Sequence, residues 1–257
     1  MARYGVTHAS LVHTQLWRLL RAHDGPPPPA LRAVLLGGSA VPEALLAEGV
    51  GRGWPLHMSY GLTETASLVT VTPSGATPEV LRTAGRVLPY REVRLGHDGT
   101  IWVRGAVRFM GYVEAGRLVQ PFDPEGWFDT GDLGAWDAQG YLQVTGRRDN
   151  QFISGGENIQ PETIEAALLQ LSGIAQAVVV PVADEEFGQR PAAFVQLAEG
   201  AAWAPERWRA QLRAVLPGFM IPVAFWPWPM QTAEGVKVSR AWLEREAAHR
   251  WQQKGQP

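Results

Sequence analysis

The chain has 257 residues, 46% hydrophobic and 19% charged, with a formal net charge of −2. That is enough for one large or two smaller globular domains, and it offers no basic field to draw nucleic acid. Cysteine is absent, which excludes disulfides, thiolate nucleophiles and Cys-ligated zinc, and no apolar run approaches the ~18 residues of a membrane span.

With no leader pattern at the start, no stable membrane insertion is expected, and a cytoplasmic location is the default. In chain order, residues 10–21 do not alternate as a half-buried strand would. Val12, Leu16, Leu19 and Leu20 fall on one helical face instead. A linker, His23 to Pro29, ends that helix with four successive prolines. Ala33 to Leu36 is a short apolar strand that runs into Gly37-Gly38-Ser39, and Pro42 starts a second helix to about Gly49. Strand, glycine turn and helix form the α/β pattern that exposes backbone N–H groups at a helix start, although a Gly-Gly pair alone marks only a tight turn.

A strand over residues 56–58 delivers S-Y-G-L-T-E-T, Ser59 to Thr65. Hydroxyls, a flexible glycine, an aromatic ring and a carboxylate in one turn suit a nucleotide: a ring for a base, hydroxyls for phosphate, a carboxylate for Mg²⁺. A polar hairpin turn is the plainer alternative. Ala66–Thr72, Glu92–Leu95 and Thr100–Arg104 are short and β-rich, which predicts a small β-subdomain. Asp132, in G-W-F-D-T-G-D-L-G, either forms an Asx-turn or offers an ionised acceptor.

The stretch Gly146–Glu165 reads G-R-R-D-N-Q-F-I-S-G-G-E-N-I-Q-P-E-T-I-E. A charged cluster follows a strand over Tyr141–Thr145, a second strand over Gln151–Ile153 enters the Ser154-Gly155-Gly156 turn, and Pro161 opens a helix. Beyond it a compact α/β unit is expected. Its strands lie over Ala177–Val182 and Ala192–Leu197, and its helix over Glu206–Leu216 carries Trp208, Leu212 and Val215 on one face. Pro217–Pro229 is read as a rigid connector and Ala241 to about Arg250 as the last helix. The 11 tryptophans show no regular interleaving with basic residues and are read as core and interface filler. The two lysines are Lys237 and Lys254, so arginine supplies the other 21 of the 23 basic residues.

Together these motifs resemble the adenylate-forming acyl-CoA synthetase superfamily of AMP-binding enzymes. S-Y-G-L-T-E-T is similar to its Y-G-x-T-E signature, and A-G-R-V-L-P, W-V-R-G…M-G-Y, T-G-D-L and G-R-R-D follow in the family's order. T-H-A-S-L-V-H-T-Q-L-W-R-L-L, S-G-G-E-N-I-Q-P-E and V-K-V-S-R-A-W-L resemble its o-succinylbenzoate–CoA ligase branch, except that His13 stands where that branch more often has proline.

The resemblance implies a mixed α/β architecture. Residues 1–146 would be the C-terminal portion of the large domain with its β-subdomain, 147–150 a hinge, and 151–257 the small mobile domain. It also implies a two-step ligase using ATP, Mg²⁺ and coenzyme A on a small carboxylic acid. Gly37, Gly38 and Ser39 would border the adenine and acyl pocket, with Ser59, Tyr60 and Gly61 beside them. Thr63 would touch phosphate, Glu64 hold Mg²⁺, and Asp132 and Arg147 hold the ribose. Asp149 matches the hinge, Ser154, Gly155, Gly156 and Glu157 would line the CoA channel, and Lys237 matches the catalytic lysine. An ammonium can bridge the attacking carboxylate and the α-phosphate where a guanidinium fork would not fit.

One departure stands out: nothing in Met1–Arg32 resembles the family's phosphate loop. The sequence therefore reads as the C-terminal part of a ligase, with the N-terminal part as a possible partner. Unpaired sheet edges are expected near Ala33–Leu36 and Leu56–Met58. Three alternatives stay open: another acyl- or aryl-CoA synthetase, an adenylation domain that loads a carrier protein, and a non-catalytic nucleotide-binding remnant.

Overall fold

The computed structural model describes residues 1–38, 41–229 and 239–253. They form two compact units, Met1–Arg148 and Asp149–Pro257, divided within the G-R-R-D-N segment. No helix among the described residues is long and apolar enough to cross a membrane.

The first unit opens with β1 (His8–Leu11), α1 (His13–Ala22), β2 (Ala33–Leu36), α2 (Glu43–Gly51) and β3 (Leu56–Gly61). It continues with β4 (Leu68–Val71), β5 (Arg86–Val87), β6 (Arg91–Leu95), β7 (Thr100–Gly105), β8 (Tyr112–Glu114), β9 (Arg117–Val119), β10 (Phe128–Trp136) and β11 (Leu142–Arg147). The first five strands make one sheet in the order β1-β2-β3-β4-β5, parallel through β3 and antiparallel beyond it. Parallel neighbours need a crossover, and α1 and α2 supply it. Leu16 and Leu20 of α1 and Leu45 and Leu46 of α2 close one core with Val34, Leu36, Trp54 and Leu56.

The expected edges at Ala33–Leu36 and Leu56–Met58 are corrected here. β2 is paired on both sides by β1 and β3, and β3 by β2 and β4. The missing piece in the reading is β1, which takes Ser10 and Leu11 out of the expected helix. Its four residues alternate between exposed and half-buried, too short a signal beside the helical pattern that follows.

A second sheet, β11-β10-β7-β6, is antiparallel throughout. Its core of Ile101, Val103, Phe128 and Leu142 also takes in Val69 of β4. β8 and β9 form a separate exposed hairpin.

The second unit contains β12 (Phe152–Ser154), β13 (Glu157–Ile159), α3 (Pro161–Leu169), β14 (Ile174–Asp184), β15 (Gly188–Leu197), α4 (Pro205–Arg213), β16 (Ala224–Pro227) and α5 (Arg240–Gln253). β14 and β15 pair antiparallel, and β15 and β16 parallel. Side chains alternate across this sheet. Val179, Ala193, Val195 and Phe225 meet Ile164, Leu168, Trp208 and Leu212 of α3 and α4. Val180, Val182, Phe194 and Trp226 meet Leu243, Ala247 and Trp251 of α5. Burial on both faces explains why the strands read as continuous apolar runs.

Two further readings are corrected. The expected connector Pro217–Pro229 contains strand β16. Val215 lies past the end of α4 and is 68% exposed, because that helix stops at Arg213.

Candidate nucleotide site

The fold brings Ser59, Tyr60, Glu64, Asp132 and Arg147 together in the first unit. Ser59, Tyr60 and Gly61 are not in a turn, as expected, but on the last half of β3. The turn follows as a 3-10 segment, Thr63–Thr65. Gly61 is required by space: a Cβ there would lie 2.0 Å from the Ser67 carbonyl oxygen. Only a residue without a side chain lets the chain fold back so closely into β4. Ser59 Oγ donates to the Leu36 carbonyl at 2.9 Å. A Cβ on Gly37 would sit 2.9 Å from that same Oγ, so the Gly37 backbone and Ser59 share one corner. Gly38 has φ +77°, the left-handed geometry that glycine provides. Ser39 lies outside the described residues.

Asp132 is 9% exposed and sits on strand β10, not in an Asx-turn of its own. The Asx-turn belongs to Asp129, whose Oδ1 accepts the Gly131 N–H at 2.8 Å. Pairing of β10 with β7 slips between Asp129 and Leu133. Within the slip Thr130 Oγ1 donates to the Ile101 carbonyl and accepts the Asp132 N–H. An irregularity of this kind re-aims a side chain, and here the residue concerned is Asp132.

Two donors meet its carboxylate. Tyr60 O–H donates to Oδ2 at 2.7 Å, and Arg147 Nη1 to Oδ1 at 2.9 Å. Tyr60 and Asp132 are 72 positions apart in sequence; Arg147 is placed directly opposite Asp132 by the β10–β11 register. Burial pushes the Asp132 carboxyl above its ordinary range, against the pull of Tyr60 and Arg147. Burial and then the Asp132 charge push the Tyr60 phenol far up, so it remains a donor. A carboxylate offers about four lone-pair positions. With one donor on each oxygen, Asp132 keeps acceptor capacity for two more hydroxyls, the demand of a vicinal diol.

Glu64 lies close enough for its charge to raise Asp132. One of its oxygens, Oε1, accepts the Tyr112 O–H at 2.8 Å. Thr63 opens the same 3-10 segment and is exposed. No group of three or more His, Cys, Asp or Glu that could hold a metal occurs among the described residues. Mg²⁺ commonly binds through one or two carboxylates plus substrate phosphates, and the single half-free Glu64 carboxylate fits that mode. Tyr112 is the residue whose contact to the site the sequence reading missed. Its M-G-Y setting was visible, but a contact 48 positions away was not.

In the second unit Ser154, Gly155, Gly156 and Glu157 form the turn of the β12–β13 hairpin. Gly155 has φ +58°, and a Cβ there would lie 2.7 Å from Phe187 Cδ1. Its N–H donates to the Phe187 carbonyl at 2.9 Å. Ser154 Oγ is buried with no hydrogen-bond partner among the described residues. Asp149 belongs to a 3-10 segment, Arg148–Asn150, at the boundary of the two units. Lys237 and Lys254 lie outside the described residues.

Comparison with known proteins gives the family. The AMP-binding enzyme family matches residues 1–113, and the AMP-binding enzyme C-terminal domain matches residues 163–232. The chain belongs to the AMP-binding enzyme family. It is 40% identical to the 2-succinylbenzoate–CoA ligase of Salmonella typhimurium, over 94% of this chain and 51% of the relative. Among solved structures, a variant of E. coli MenE with bound OSB-AMS superposes with a TM-score of 0.82. It shares 38% identity over 96% of this chain and 52% of that one. The Bacillus subtilis o-succinylbenzoate coenzyme A synthetase, in complex with ATP and magnesium ion, gives a TM-score of 0.75 at 32% identity. That match covers 88% of this chain and 48% of the neighbour. The chain spans about half the length of the curated relatives it matches.

Proposed function

We propose that this AMP-binding chain serves an ATP-dependent acid–CoA ligase whose acid is 2-succinylbenzoate. The observation that carries the proposal is the buried Asp132 carboxylate held between Tyr60 and Arg147, in a chain with 2-succinylbenzoate–CoA ligases as relatives.

In this reading Asp132 accepts the two ribose hydroxyls while Arg147 and Tyr60 keep it oriented. Tyr60 offers its ring to the adenine, and Gly37, Gly38, Ser39, Ser59 and Gly61 shape the pocket beside it. Thr63 donates to phosphate, and Glu64 holds Mg²⁺, which would neutralise charge on the phosphates. Lys237 bridges the substrate carboxylate and the α-phosphate, favouring attack and release of pyrophosphate. The unit from Asp149 onward then turns at Asp149, and the Ser154–Glu157 hairpin lines the path of the CoA thiol, which displaces AMP.

A partner segment carrying the phosphate loop would complete the site. The test is pyrophosphate exchange into ATP dependent on 2-succinylbenzoate, measured on the chain alone and with the N-terminal half of the Salmonella relative added. Exchange that appears with that half, and only with this acid, supports the proposal. Exchange that is indifferent to the acid would remove the substrate assignment.

A further inference from the structure

The loop after β7 and the first residue of β8 hold Glu64 at two points. The Phe109 N–H donates to the Glu64 carbonyl oxygen at 2.7 Å, and the Tyr112 O–H donates to Glu64 Oε1 at 2.8 Å. The two contacts are linked by ring packing. The Phe109 ring packs edge-on against Tyr112 with centroids 4.8 Å apart, and against Phe122 and Phe128 at 5.6 and 5.2 Å. Phe128 is a core residue of the second sheet. Tyr112 is therefore braced through Phe109 against a core, although it belongs to an exposed hairpin.

Donor chemistry makes this contact informative. The chain has 23 basic residues, yet no cation pairs with the Glu64 carboxylate among the described residues. A guanidinium there would neutralise the carboxylate and compete with a metal ion. A neutral phenol fixes one oxygen and leaves the negative charge in place. It also removes rotamer freedom from a long side chain before any ligand arrives, the general route by which preorganisation improves binding. The other oxygen, Oε2, is left without a hydrogen-bond partner among the described residues.

We propose that Tyr112 is a positioning residue for metal–nucleotide binding: it holds Glu64 Oε1 so that Oε2 points to the cation. The proposal rests on the reading of Glu64 given above, and its test separates the two.

The probe is Mn²⁺ in place of Mg²⁺, followed by electron paramagnetic resonance on the full chain combined with the N-terminal half of the Salmonella relative, with ATP. ATP binding in EDTA is measured in parallel by calorimetry. Tyr112→Phe, which keeps the ring and its packing, is expected to weaken Mn²⁺·ATP binding about tenfold, the loss of one hydrogen bond to a charged group. Metal-free ATP should bind the variant within about twofold of wild type. A merely structural role would weaken both forms alike. Glu64→Gln should weaken Mn²⁺·ATP at least as much, and the double variant no further, because the two residues act as one unit. Wild-type Mn²⁺·ATP affinity in Tyr112→Phe, or equal losses with and without metal, would overturn the role of Tyr112 while leaving Glu64 standing. Wild-type affinity in Glu64→Gln, or no Mn²⁺·ATP binding by the wild-type chain completed with that half, would overturn the reading of Glu64 and Tyr112 with it.

Discussion

Replacing Arg240 by methionine should destabilise the second unit strongly and in a pH-dependent way. Arg240 opens α5; its Nη2 lies 2.6 Å from Glu165 Oε1 and 3.7 Å from Glu162 Oε1, and its Nη1 donates to the Val179 carbonyl. Glu165 Oε1 also accepts the Val179 N–H at 2.8 Å. The two side chains are 21% and 13% exposed, so water does little to screen them. Burial pushes the Glu165 carboxyl up, while Arg240 and the Val179 N–H pull it down. Methionine keeps most of the volume but leaves a buried carboxylate without its cation. Such a loss costs about 3–5 kcal/mol; with some exposure remaining, about 3 kcal/mol is expected. At a urea dependence of about 1.5 kcal/mol per molar, the unfolding midpoint falls by about 2 M.

The pH sign follows from the raised carboxyl. The contribution of Glu165 is fully present below its ordinary value of 4.5 and is lost as pH rises through the folded value. Without Arg240 that folded value climbs further, so the variant suffers most at pH 7.5 and approaches wild type near pH 4.5. Urea unfolding with hydrogen exchange read at the β14 amides gives both numbers. A midpoint loss under about 0.5 M at pH 7.5, or the same loss at both pH values, would refute the reasoning.

Two further outcomes are expected. Gly61→Ala places a Cβ 2.0 Å from a backbone oxygen and 2.8 Å from a backbone carbon of Ser67, atoms that cannot rotate away. It should cost about 3 kcal/mol, the upper end for overpacking, and a wild-type thermal midpoint would contradict it. Asp149→Pro fixes φ at the proposed pivot, so in the completed enzyme thioester formation should fall much further than adenylate formation; two intact half-reactions would move the pivot elsewhere.

What was legible in the sequence was mostly local. Pro161 with its acidic first turn gave the start of α3, and the apolar runs gave β14 and β15. The apolar run Ala33–Leu36, ended by Gly37-Gly38, gave β2. The misses involve partners distant in the chain. β16 reads as a connector because Pro222, Pro227 and the tryptophans Trp226 and Trp228 obscure a four-residue strand, and what makes it a strand is its parallel pairing with β15. The interior position of β2 depended on β1, a strand with little pattern of its own. Asp132 and Tyr60 were each identified, but their hydrogen bond depends on the slipped β10–β7 pairing. Tyr112 reached Glu64 only through the packing of Phe109, which no spacing in the sequence announces.

In the proposed function this chain supplies the ribose-binding carboxylate, Asp132, and the catalytic lysine, Lys237, of an acid–CoA ligase. The most direct test is Lys237→Ala in the completed enzyme, with the two half-reactions measured separately. In the proposed function the lysine acts while carboxylate meets α-phosphate, so 2-succinylbenzoate-dependent pyrophosphate exchange should be lost. Thioester formation from supplied acyl-adenylate and CoA should remain near wild type. Equal loss of both half-reactions, or exchange that survives the substitution, would contradict the account.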